Sequence, residues 1–213
     1  MDSATMSRVI RILEKEYPGF PRHYREEPFR ALISTVLSQR TRDETTDRIA
    51  ESLFRTAKNP RQISKMSLAE IRKIIKPINF YKTKARRILR ISMIINEKYA
   101  GKVPGTRDEL MGLPGVGKKT ADAVLSFSFG KNVIPVDTHV EVLCKRLGVA
   151  DEGDSYDEIQ KKLYAIVPPG GRNVVNFLMV EHGKKICTKH MPRHCKCSLR
   201  KYCRFFRKSV AKA

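Results

Sequence analysis

Three stretches of this 213-residue chain gather residue types that can do chemistry. The first is Leu113-Pro114-Gly115-Val116-Gly117-Lys118-Lys119-Thr120. Two glycines one residue apart let the backbone turn tightly and meet a partner with no Cβ in the way. A helix starting just after them offers its unpaired N–H groups to that partner, a geometry that holds phosphate. Lys118 and Lys119 add positive charge. The same residues also suit an ordinary helix–Gly–helix connection, and the Gly-x-x-x-x-Gly-Lys spacing of a P-loop is absent. The second stretch, Ile134 to Val140, puts Asp137 at a helix start, where an aspartate serves as N-cap. The third holds Cys187, Cys195, Cys197 and Cys203 within seventeen residues. Four thiolates at that spacing suit a [4Fe–4S] cluster or a structural zinc. The fifth cysteine, Cys144, lies on an apolar helix face and reads as a small buried hydrophobe.

The elements that must position these residues read as helices. Met6, Val9, Ile10 and Leu13 fall at i, i+3, i+4 and i+7. Phe29 to Leu37, Ile88 to Ile95, Val140 to Leu147 and Ile159 to Val167 repeat that spacing, so each presents an apolar stripe to a core. A short helix over about Arg107 to Met111 precedes the glycines, and a longer one starts near Lys118. Alternating strand patterns are missing; Val133, Ile134 and Val136 are interrupted by Pro135. About ten helices are expected, with turns at Pro18-Gly19, Asn59-Pro60, Pro104-Gly105 and Pro168 to Gly171. The fold class is all-α, without a long-period repeat.

Taken together, Leu113 to Ala121, Val136-Asp137-Thr138-His139 and the cysteine group resemble the endonuclease III family of helix–hairpin–helix DNA glycosylases. Val36 to Asp43 and Phe80 to Ala85 resemble family segments upstream, so the likeness covers nearly the whole chain. It implies two helical domains with a DNA cleft between them. One is a six-helix barrel over 22–130 that contains the hairpin. The other joins 1–21 to 131–213 and carries the metal. The resemblance makes Lys119 the nucleophile. It would attack C1′ of a damaged nucleotide, an oxidised pyrimidine above all, expel the base, and cut the strand by β-elimination through a Schiff base. A free amine is scarce at neutral pH for an ordinary lysine, so burial and neighbouring cations are expected to lower its pKa. Asp137 would stabilise positive charge on the sugar and assist proton transfer, a role compatible with capping.

The resemblance also implies a [4Fe–4S] cluster on Cys187, Cys195, Cys197 and Cys203, with zinc the alternative. The family spacing is Cys-x6-Cys-x2-Cys-x5-Cys; here it reads Cys-x7-Cys-x-Cys-x5-Cys, and His194 stands at the second position. Either Cys195 ligates after a loop adjustment, or His194 replaces it, or the cluster is lost. Flipping a nucleotide costs a few kcal/mol and leaves a gap to fill. Gln39, Arg40 and Thr41 form one candidate loop for this, with Gln39 and Arg40 equally placed to meet the orphaned base. Phe80 and Tyr81 form another, by wedging or else by core packing. Leu113, Gly115, Val116, Gly117, Lys118, Thr120, His139, Arg200 and Lys201 complete the expected DNA contacts. A glycosylase for mismatched thymine or uracil, and a non-catalytic hairpin protein that binds DNA, are the competing readings.

Composition agrees with a polyanionic partner. Lys and Arg number 43 against 22 Asp and Glu, a net +21 with pI near 10.0. Eleven Lys/Arg and no acid lie between His182 and Ala213; ten lie between Ile71 and Pro104 with only Glu97 opposing. Asp151 to Glu158 holds five acids and no base, so it is expected to lie away from DNA. No apolar run is long enough to span a membrane. A monomer in the cytoplasm, on double-stranded DNA carrying damaged bases or abasic sites, is the expectation.

Overall fold

A computed structural model describes residues 1–19 and 25–210. In chain order its helices are α1 (Ser3–Glu16), α2 (Pro28–Ser38), α3 (Asp43–Thr56), α4 (Pro60–Ile63), α5 (Leu68–Ile74), α6 (Tyr81–Tyr99), α7 (Arg107–Met111), α8 (Lys118–Phe127), α9 (Thr138–Leu147), α10 (Tyr156–Ile166), α11 (Arg172–Lys185) and α12 (Arg204–Val210). Three 3-10 turns, Pro169–Gly171, His194–Lys196 and Arg200–Tyr202, complete the set, and the described residues contain no strand. The chain divides into two compact units, 25–130 and 1–24 with 131–213. The expected boundary at Arg22 lies outside the described residues.

In the 25–130 unit, α2 is the central helix. It buries Phe29, Ala31, Leu32, Ile33, Val36 and Leu37, apolar around most of its circumference, and packs against α3, α6 and α8. A helix so apolar belongs in the middle of a bundle. α6 buries Ile88, Ile91 and Ile95 and carries α4 and α5. The sequence fixes the helix starts locally: Asn59 caps α4 by accepting from Gln62 N, and Ser67 with Glu70 forms a capping box on α5. Asn59-Pro60 is thus the beginning of a one-turn helix and not the plain turn expected, because Pro suits the first helical position.

In the other unit, Met6, Val9, Ile10 and Leu13 of α1 join Val140, Leu143, Cys144 and Leu147 of α9 in one core. Ile159 and Leu163 of α10 and Val174, Val175, Leu178 and Met179 of α11 complete it. Pro168 to Gly171, expected as a turn, winds into a 3-10 turn leading straight into α11. Cys144 is fully buried, and burial pushes its thiol up to about 12, so it remains a neutral packing residue.

Candidate active site

The hairpin lies between α7 and α8. Gly115 adopts φ +77°, and a Cβ there would stand 2.6 Å from Arg87 Cδ. The positive φ therefore favours glycine at 115, and the flexible Arg87 side chain would have to move aside for any other residue. Gly117 differs: its φ of −100° and ψ of −179° suit any residue, and a Cβ would touch nothing within 4 Å. No side chain caps α8, whose first turn holds no acid. The N–H groups that begin α8 thus adjoin an open, side-chain-free approach. Lys118 is exposed and Lys119 half-buried in that first turn. Leu113, Val116 and Thr120 are buried, so these expected contacts have only backbone to offer; their side chains seat the hairpin in the core. Across the hairpin, Arg107 of α7 donates to Asp122 of α8 at 2.9 Å, and Asp122 is only 1% exposed.

A second group of residues rises beside this turn. Gln39 Nε2 donates to Gly115 O at 3.1 Å, tying the end of α2 to the hairpin. Lys84, 2% exposed, sends its ammonium to Leu37 O at 2.7 Å, Gln39 O at 2.5 Å and Thr41 Oγ1 at 3.2 Å. Burial, then the nearby Arg87 charge, lowers its pKa to about 8. Arg40 and Phe80 both adopt left-handed backbone, φ +55° and +58°. That conformation is costly outside glycine and persists only where surroundings impose it. Lys84 grips the chain on either side of Arg40, and Asn79 donates to Arg40 O. The Arg40 guanidinium lies 5.8 Å from the Phe80 ring centre. Phe80 is 61% exposed, so it is no core residue, whereas Tyr81 is half-buried at the start of α6. Gln39, Arg40, Phe80, Thr83, Lys84 and Arg87 line one open pocket.

Asp137 belongs to the other unit. Its carboxylate accepts from Val140 N at 2.9 Å, so it is the N-cap of α9. The segment before it is extended but unpaired with any strand, and side chains satisfy its backbone instead. Gln160 donates to Ile134 O and Asn176 to Pro135 O, both at 2.8 Å. Tyr164 and Tyr156 hydroxyls accept from Ile134 N and Val136 N. Four side chains thereby fix the approach to Asp137. His139 packs on α11, where a Cβ on Gly183 would stand 2.7 Å from its Nδ1.

Near the C-terminus, Cys187, Cys197 and Cys203 line a single cavity with Arg146, His194 and Phe206 among its other walls. Arg146 donates to Cys187 Sγ at 3.1 Å and also to the carbonyls of Cys187, Thr188 and Lys189. Phe206 N donates to Cys203 Sγ at 3.4 Å. His182, buried in α11, meets Tyr17 Oη at 3.1 Å and Cys197 Sγ at 3.4 Å. Cys195 is exposed and absent from the cavity wall. Arg200 lies over the Phe206 ring, and Lys201 over that of Tyr202; both are exposed.

Residues 33–169 match the family model of the HhH-GPD superfamily base excision DNA repair proteins. Endonuclease III of Thermotoga maritima is 42% identical over 190 residues, 89% of each chain. Endonuclease III of Escherichia coli K12 is 32% identical over 84% of each. A solved trapped endonuclease III–DNA covalent intermediate, in an estranged-adenine complex, superposes with TM-score 0.90 at 34% identity over 99% of both chains. The chain belongs to the endonuclease III family. A thermostable thymine-DNA glycosylase is also similar, with TM-score 0.85 at 28% identity over 96% of both.

Endonuclease III family membership brings the expectation of a [4Fe–4S] cluster, and the residues fit one. Three thiols face a shared cavity, and two N–H donors already point at their sulfurs. Such donors stabilise metal-bound thiolate, and a nearby guanidinium offsets the negative charge of a cluster. Among the described residues, no three His, Cys, Asp or Glu side chains group closely enough to hold one metal ion. Nor is any described helix long and apolar enough to cross a membrane. Sequence reasoning missed the Lys84 clamp, the Arg107–Asp122 pair and the side-chain support of 134–136. Lys84 and Asp122 were detectable only as charged residues on helix faces otherwise apolar.

Proposed function

We propose that this member of the endonuclease III family removes oxidised pyrimidines from double-stranded DNA and cleaves the resulting abasic site as a lyase. Lys119, in the first turn of a helix with no side-chain cap, is the observation that carries this reading, set in a chain that matches a covalently trapped family member end to end. The Lys119 amine forms a bond to C1′ as the bond from C1′ to the base breaks, and the base departs with the electron pair. Loss of a proton and ring opening give the Schiff base. Removal of a C2′ proton then expels the 3′ phosphate oxygen, cutting the strand.

Asp137 stabilises the positive charge that develops on the sugar and assists proton transfer. Its cap bond and the pinned 134–136 segment hold the carboxylate in a fixed orientation. The backbone at Gly115 and Gly117 and the amides that begin α8 bind a DNA phosphate, with Lys118 adding charge. Lys82, Arg86 and Arg90 lie along α6, and Arg200 and Lys201 by the cysteine cavity; these serve as sites of phosphate attraction.

Gln39 and Arg40 now differ in role. The Gln39 side chain is engaged with the hairpin. Arg40 is exposed, held in left-handed backbone and stacked on an exposed Phe80. On this reading Phe80 wedges between base pairs while Arg40 fills the space of the flipped nucleotide and meets its former partner. Cys187, Cys197, Cys203 and a fourth ligand would hold a [4Fe–4S] cluster, which would cross-link the C-terminal segment and so order its basic residues.

Borohydride trapping on duplexes containing thymine glycol, an abasic site, or uracil or thymine opposite guanine tests the proposal. A covalent adduct and strand cleavage are expected on the first two. Lys119→Gln should reduce the adduct to background while DNA binding persists; undiminished trapping would refute the assignment. Asp137→Asn, which can still cap α9, should slow base removal by roughly 10²–10⁴-fold with little change in binding.

A further inference from the structure

Counting from Cys187, the family spacing arrives at His194, and Cys195 follows one residue later. The fold treats the two very differently. The cavity wall contains Cys187, Cys197, Cys203 and His194, but not Cys195. Cys195 is exposed, whereas Cys203 is buried and Cys187 and Cys197 are half-buried.

The backbone explains the difference. His194–Lys196 is one 3-10 turn, in which neighbouring side chains point about 120° apart. Bringing Cys195 inward would require rotating that turn by one residue and turning His194 out. Several bonds oppose the rotation. Arg193 N donates to Ile186 O at 2.9 Å, Lys196 N to Arg193 O at 3.0 Å and Cys197 N to His194 O at 3.1 Å. The imidazole is also held by two aromatic rings. Phe205 lies 5.8 Å away at an interplanar angle of 24°, and Phe206 lies 5.4 Å away. Near-parallel stacking uses the face of the imidazole and leaves its nitrogens to other partners.

We propose that His194, and not Cys195, is the fourth ligand of the iron–sulfur cluster, giving a site of three cysteines and one histidine. This rests on the cluster reading above. Its chemical consequence follows from charge. A neutral imidazole in place of a thiolate removes one negative charge from the cluster and its ligands, and histidine ligation of that kind raises reduction potentials. The Arg146 donor to Cys187 Sγ acts in the same direction.

The test uses the full chain purified without oxygen, with and without ¹⁵N-histidine. Iron is assayed, and pulsed EPR is recorded on the paramagnetic state of the cluster. Three results are expected: about four irons per chain; a nitrogen coupling of directly bound strength that changes with the isotope; and an unchanged iron content and spectrum in Cys195→Ser. His194→Cys should keep the iron, lose the nitrogen coupling and shift the midpoint potential downward. Iron lost from Cys195→Ser, or a full iron complement without the nitrogen coupling, would overturn the His194 assignment and leave the cluster standing. A colourless chain, with zinc or with no metal, would overturn the cluster and this assignment together. Cys195 is exposed, so its variant is expected to fold, and the wild-type nitrogen signal keeps the proposal decidable if His194→Cys does not.

Discussion

Around the hairpin, each turn is tied by polar groups of the protein itself. Arg107 spans α7 and α8 to reach Asp122, Gln39 holds Gly115, and Lys84 grips the chain on both sides of Arg40. Around the cysteines, the sulfurs face a cavity, and one residue, Arg146, makes most of the side-chain bonds to the 187–189 backbone. The first region is built to meet a ligand from outside and must keep its shape without one. The second is built to enclose a group that then becomes part of its structure, as is usual where metal binding and folding are coupled.

The sharpest way to break this contrast is Asp122→Ala. It leaves the half-buried Arg107 guanidinium without its carboxylate and should cost about 3–4 kcal/mol in the unfolding of the 25–130 unit, read by denaturant titration. A loss below about 1 kcal/mol would mean the hairpin is not held as described. Arg146→Met probes the other region. It should cost about 3 kcal/mol and lower the iron retained per chain, while amide protection within α7 and α8 stays unchanged.

Lys84→Met should cost about 2 kcal/mol near neutral pH through the carbonyls it leaves unpaired. The pH dependence carries a sign. A lysine whose folded pKa lies near 8 binds fewer protons than its unfolded counterpart between about 8 and about 10.4. Wild-type stability relative to Lys84→Met should therefore rise with pH across that window and level off above it. A flat difference would show that the ammonium is not desolvated.

The two hairpin glycines give the smallest and most selective comparison. Gly115→Ala should lose about 1–3 kcal/mol, from its positive φ and the Arg87 contact. Gly117→Ala should leave stability within about 0.5 kcal/mol, since its backbone is ordinary and its surroundings open. Its DNA affinity should nevertheless fall, measured by titration of a duplex at fixed salt.

The helices and the hairpin were legible in the sequence because both depend on short-range pattern. Ile88, Ile91 and Ile95 advertise a face, and Gly115-Val116-Gly117 advertises a turn. Asp137 was legible as a cap for the same reason. What stayed hidden depends on distant pairing. Asp122 and Arg107 are fifteen residues apart, and Lys84 reaches carbonyls more than forty residues away. In the sequence Lys84 is one of ten cations in a basic span, and only its place on the helix face of Ile88, Ile91 and Ile95 sets it apart from a surface charge. Leu113, Val116 and Thr120 sit in the motif and so suggest contacts, yet the same motif needs buried anchors to hold its turn. Arg40 and Phe80 adopt a conformation that sequence rules reserve for glycine, so neighbouring bonds and not residue type set it.

The left-handed placement of Arg40 carries a consequence for the chemical origin of the damage. A guanidinium only donates hydrogen bonds, and the pairing edge that an estranged purine turns toward the gap offers it a single acceptor beside donors in either case, O6 of guanine or N1 of adenine. Lesions that face guanine descend from cytosine; those that face adenine descend from thymine. An arginine in the gap would therefore discriminate only weakly between oxidised cytosines and oxidised thymines, because neither partner offers it the paired acceptors of a bidentate contact. The same lesion placed opposite guanine and opposite adenine should be removed at rates within about tenfold of each other, and a larger bias would mean that Arg40 does not fill the gap.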